Sequence, residues 1–136
     1  MKKSPLMESK MVYIKPAIIK EVVKEVCKEF KLSTDDFYAY GIHSRRRVWV
    51  EPKQIMQYLS DRLINPHCYT GDGRKRKIQY ITRNFPLEWL AQCFYCTHCT
   101  LLYTLDTVIN LRDLYPSYRK KVEKLYNRFV ETEEQS

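Results

Sequence analysis

The chain is expected to fold as an all-α, single-domain protein built around a helix-turn-helix, and three observations predict this. Apolar residues recur at helical spacing in several segments, and cap and turn residues fall between those segments. A short helix, a tight turn and a longer helix follow a block rich in arginine and lysine. A length of 136 residues suits one domain with a real core.

Taken in order, the first ten residues are polar, and 1–12 are expected as a flexible lead into a domain spanning 13–131. From Pro16 to Phe30 the residues Ile18, Ile19, Val22, Val23, Val26, Cys27 and Phe30 trace one helical face, with Pro16 in the first turn. "LSTDDF" offers Ser33 or Thr34 as the cap of a short helical turn. "YGIHSRRRVWV" breaks the periodicity at Gly41 and reads as an exposed basic loop, with Trp49 a lid on the core. Pro52 then restarts a helix in "EPKQIMQYLSDRLI", where Ile55, Tyr58 or Leu59, Arg62 and Leu63 mark the faces, and Asn65-Pro66 stops it.

Residues 65–85 form a Gly-tipped basic insertion, read as a short β-hairpin or a mobile loop, with Ile78, Tyr80 and Ile81 near its end. Pro86 opens "PLEWLAQCF", with Leu87, Leu90, Ala91 and Phe94 on one side, and Thr97 begins a run through Leu101, Leu102, Leu105, Val108 and Ile109. Tyr95 and Cys96 alone are expected to join these two helices, which place the helix-turn-helix at about 86–110. A last helix is expected from Pro116 to Val130 on Val122, Leu125, Tyr126 and Phe129, followed by a polar tail at 132–136.

The longest apolar stretches are broken by charge well short of membrane-spanning length, and no hydrophobic signal region follows "MKKSPLMESK". A soluble, cytoplasmic protein with no membrane partner is expected. Five cysteines are an odd number, which in a reducing compartment means thiols or ligands rather than a disulfide framework. The formal charge is +8, and residues 43–83 carry +7 of it: ten Arg and Lys against Glu51, Asp61 and Asp72. So concentrated a block is the footprint of a polyanionic partner, nucleic acid first among them.

In a helix-turn-helix the start of the second helix faces base edges, here Thr97, His98, Cys99 and Thr100. Threonine hydroxyls and a histidine ring hydrogen-bond bases or phosphates, and threonine methyls meet the thymine methyl. The phosphate contacts would come from Arg45, Arg46, Arg47, Lys53, Arg74, Lys75, Arg76 and Lys77. Against this stands a zinc reading of "CFYCTHC", in which Cys93, Cys96 and Cys99 join Cys68 or His67 as four ligands of a protein-interaction module. The helical flanks and the missing Gly-rich turn weigh against it, so no metal or other cofactor is expected. A Cys/His nucleophile pair within this stretch has no third orienting group, and no Gly-x4-Gly-Lys-Ser/Thr loop occurs, so neither catalysis nor ATP hydrolysis is expected. Most of the eleven tyrosines fall at core spacing or helix ends, where packing accounts for them.

Over about residues 16–130 the chain resembles the C-terminal DNA-binding domain, domain IV, of the bacterial replication initiator DnaA, a Trp-repressor-like fold. "SRRRVWVEPKQIMQYLSDRL" is similar to the family's basic loop and following helix, at Pro52, Gln54, Tyr58 and Leu59. "PLEWLAQCF" fits the first helix of its helix-turn-helix, and "YCTHCTLLYTLDTV" falls on its signature Gly-Arg-Asp-His-Ser/Thr-Thr-Val. His98 and Thr100 coincide with that signature, while Thr97 replaces the acid, Cys96 the arginine and Cys99 the hydroxyl residue. The resemblance implies sequence-specific duplex binding, with one of Arg45, Arg46 and Arg47 in the minor groove. It also implies a role in origin recognition or transcriptional regulation without an ATPase, alongside protein partners. The insertion departs from the family, which joins these helices with a few residues.

Overall fold

The computed structural model describes residues 5–77, 83 and 86–135, with side chains described inside 17–130. Its elements are α1 (Pro5–Glu29), α2 (Thr34–Ala39), α3 (Arg47–Ile64), α4 (Leu87–Cys93), α5 (His98–Leu114) and α6 (Pro116–Gln135), with 3-10 turns at Gly41–His43 and Pro66–Cys68. The chain is all-helical among the described residues, where one isolated bridge, Tyr69 to Lys75, takes the place of a hairpin.

α1 begins at Pro5 rather than at Pro16, and it buries Ile19, Val22, Val23, Val26 and Cys27 as the periodicity requires. It ends in a Schellman motif: Lys31 takes φ 57° and the Leu32 amide donates to the Cys27 carbonyl at 2.8 Å. Ser33 caps α2 by accepting from the Asp36 amide at 3.3 Å.

The basic segment is not an exposed loop throughout. Gly41 and Ile42 are buried in a 3-10 turn, and α3 starts at Arg47 instead of Pro52. Burial of Trp49 explains the earlier start. Its ring, 6% exposed, packs on Phe37 and Tyr40 and lies so close over Gly41 that a Cβ there would fall 2.6 Å from it. Drawing Trp49 inward brings residues 47–51 into the helix, and Pro52 then sits beyond the first turn and gives up one backbone bond.

α3 is the central helix, packed against α1, α5 and α6, and it buries Ile55, Met56, Tyr58 and Leu59 completely. After Asn65 the insertion folds back onto it. Tyr58 Oη donates to the Gly73 carbonyl at 2.6 Å, Arg62 donates to the Gly71 carbonyl at 3.3 Å, and Arg112 of α5 donates to the Asp72 carbonyl. Gly73, at φ 89°, is the residue this closeness requires: a Cβ there would lie 2.5 Å from Tyr58 Oη and 2.7 Å from Arg62. Glu123 of α6 accepts from Arg62 at 2.6 Å and from Arg112 at 2.8 Å, which joins three helices to the loop. The far limb of the insertion, with Ile78, Tyr80 and Ile81, lies outside the described residues.

α4 and α5 pack as a pair, and α5 buries Leu101, Leu105 and Val108 against α3 and α6. α6 opens at Pro116 as expected but runs on to Gln135, past Val130.

Candidate nucleic-acid interface

The turn between α4 and α5 is four residues, Phe94 to Thr97, rather than two. It is a second Schellman motif. The Cys96 amide donates to the Ala91 carbonyl at 3.0 Å, the Tyr95 amide donates to the Gln92 carbonyl at 3.1 Å, and Tyr95 itself adopts φ 54°. Thr97 then caps α5: its Oγ1 accepts from the Thr100 amide at 3.2 Å and donates to Thr100 Oγ1 at 3.0 Å. Its hydroxyl is therefore committed to starting the helix. His98, Cys99 and Thr100 form the exposed first turn that follows.

The basic loop lies against this turn. The His43 ring meets the Tyr95 ring at 4.8 Å between centroids, and Gln57 Nε2 of α3 reaches Cys96 Sγ at 3.9 Å. Lys53 fixes the loop from beneath, its ammonium donating to the Ile42 carbonyl at 3.2 Å and the Ser44 carbonyl at 3.0 Å. Burial pushes the Lys53 ammonium below the ordinary lysine range, and the neighbouring Cys96 thiol offsets part of this. Lys53 thus acts as a clamp on the loop, and its position is not that of a surface cation waiting for a phosphate.

Arg45, Arg46 and Arg47 stand exposed, and among the described residues they form no ion pair. The cations of the insertion are placed differently from one another. Arg74 pairs with Asp113 at 2.7 Å and Lys75 with Asp106 at 2.8 Å, so two cations read from the sequence as phosphate contacts neutralise acids of α5. Arg76 donates from Nε to the Tyr69 carbonyl at 3.1 Å, and Lys77 is exposed. Arg62 and Arg83, also part of the basic block, are spent on Glu123 and on the fully buried Asp61. A groove of about 600 Å³ opens on the side of the loop, with Arg47, Val50 and Glu51 of α3 facing Leu111, Tyr115 and Tyr118.

The cysteines of "CFYCTHC" diverge. Cys93 packs partly buried against the core, Cys96 faces Gln57 and Lys53, and Cys99 is exposed on α5. Cys68 lies by Asp61 and Arg83, under the insertion. Among the described residues no group of three His, Cys, Asp or Glu side chains converges as metal ligands would. Burial raises the thiols of Cys27, Cys68, Cys93 and Cys96 above the ordinary range, so they are kept as neutral S–H groups.

No family model, curated protein or solved structure matches this chain. Residues 97–100, named from the sequence, follow directly from the turn at Tyr95, and the segment that carries Arg45 to Arg47 reaches it through His43, while Arg47 itself faces the groove beside Leu111 and Tyr115. His43, Gln57 and Tyr95, which join the two parts, were not singled out. The one signal for them was a tyrosine standing where a tight helix-to-helix turn usually asks for glycine. No helix among the described residues is long and apolar enough to cross a membrane.

Proposed function

We propose that this chain binds double-stranded DNA sequence-selectively through α4 and α5, in origin recognition or transcriptional regulation. The observation that carries the reading is the 4.8 Å contact of His43 with Tyr95, which joins the segment bearing three exposed arginines to the turn that precedes the longer helix. A helix-turn-helix needs this juxtaposition, with cations on the phosphates and the first turn of the second helix at the base edges. His98, Cys99 and Thr100 supply the reading groups, and Thr97 holds them in place as the cap. Arg45, Arg46 and Arg47 supply the backbone or minor-groove contacts, with Arg76 and Lys77 at the edge of the footprint. Arg74, Lys75 and Lys53 contribute indirectly, by removing negative charge from α5 and by bracing the loop.

Duplex binding measured against salt tests this. A DNA target selected from random duplexes should bind more weakly as salt rises, and Arg45→Ala should lower the slope of log K against log salt by about 0.9. His98→Ala should leave the slope unchanged and narrow the gap between the selected and unrelated duplexes, by about 1–3 kcal/mol. Affinity indifferent to salt, or untouched by both substitutions, ends the reading.

A further inference from the structure

We infer that Tyr95 and His43 form a stacking platform for an unpaired nucleobase, so that this chain prefers duplex DNA carrying an extrahelical base beside the bound site. The inference rests on the DNA-binding reading and extends it to the class of DNA structure recognised.

It begins with the backbone. Tyr95 occupies the left-handed position of the Schellman turn at φ 54°, where a Cβ is disfavoured and glycine is the usual occupant. Lys31 holds the same position at the end of α1, so what sets Tyr95 apart is its aromatic ring and the ring it meets. Core packing does not account for that ring, because Tyr95 is 70% exposed and its ring contact is with His43, itself an exposed residue. Core packing would have hidden the ring, as it hides Tyr58 and Tyr69.

The setting points to a nucleobase. The platform stands at the turn before α5, and the chain runs from His43 into the exposed arginines two residues on; exposed rings on a basic segment are the arrangement on which unstacked bases are held. Paired bases inside a duplex offer edges to the groove and keep their faces stacked on one another, so a ring at this place gains a partner only from a base that has left the stack. The two rings, tilted 49° to each other, meet at the turn that also leads into α5.

The test compares three DNAs at one salt concentration by fluorescence anisotropy: a short duplex, the same duplex with one extrahelical adenine, and the same duplex with an extrahelical abasic sugar. The wild-type chain should bind the adenine form about tenfold more tightly than the other two. Tyr95→Phe should keep that preference, whereas Tyr95→Gly and His43→Ala should lose it. Tyr95→Gly should do so with a melting temperature equal to or above the wild type, because it relieves the backbone. If Tyr95→Gly does not fold, Tyr95→Asn reads the same loss, since asparagine also tolerates the left-handed conformation. Equal affinity for the adenine and abasic forms, or a preference that survives removal of the Tyr95 ring, overturns the inference while leaving duplex binding intact. Absence of salt-dependent binding to all three DNAs overturns the duplex reading and this one with it.

Discussion

At the residue scale, single atoms decide which side chains are available. Lys53 and Arg45 are indistinguishable as cations in the sequence, yet one ammonium is satisfied by two carbonyls and the other guanidinium stands in solvent. The same holds for glycines. A Cβ at Gly71 meets nothing within 4 Å, while one at Gly73 collides with Tyr58, Arg62 and Arg112. Gly73→Ala combines that collision with a left-handed φ, so it should cost about 3 kcal/mol in urea unfolding. Gly71→Ala should be close to neutral, and equal costs at the two positions would show that the loop does not seat as described.

At the element scale, an acid of α6 holds cations of α3 and α5. Arg62 and Arg112 have side chains only 5% and 2% exposed, and Glu123 is the carboxylate that both of them meet. Glu123→Ala leaves two buried guanidinium groups without it and should destabilise by about 3–5 kcal/mol. Glu123→Gln, which keeps an acceptor, should cost less. A urea midpoint unmoved by the alanine change would remove Glu123 from this role. The helices themselves were legible in the sequence because each buries one stripe at helical spacing: Val22, Val23 and Val26 in α1, Leu101, Leu105 and Val108 in α5, Val122 and Leu125 in α6. Their ends were less so. Pro16 and Pro52 read as helix starts, but each lies within a longer helix, and for Pro52 the reason is the pull of Trp49 into the core, a tertiary effect. The start of α5 was legible as the start of a periodic run at Thr97, but that Thr97 spends its hydroxyl on capping the helix was not. The fate of Arg74 and Lys75 was not, because their acidic partners lie 39 and 31 residues away.

At the scale of the whole molecule, the buried ionisable groups set how the protein answers to alkali. Burial raises the thiols of Cys27, Cys68, Cys93 and Cys96 and the phenols of Tyr58, Tyr69 and Tyr118. Each of these groups holds its proton in the folded chain after the unfolded chain would release it. Stability is therefore intact below about pH 8.5 and falls as pH rises, first through the thiols and later through the phenols. Lys53 works the other way, because its lowered folded value means the unfolded chain binds that proton more tightly, but it is one group against the several thiols and phenols. The urea midpoint in reducing buffer should be lower at about pH 9.5 than at about pH 7.5, and a midpoint that rises over the interval would contradict this. The seating of Gly73 has a consequence in time as well as in energy. Its site is made by Tyr58, Arg62, Arg112 and Glu123, so the loop has nowhere to dock until α3, α5 and α6 have come together. Its closure belongs among the last events of folding, after the long-range helix contacts have met their entropic cost. Once closed, a segment that reads as a surface appendage is held by side chains of two helices, Tyr58 and Arg62 of α3 and Arg112 of α5.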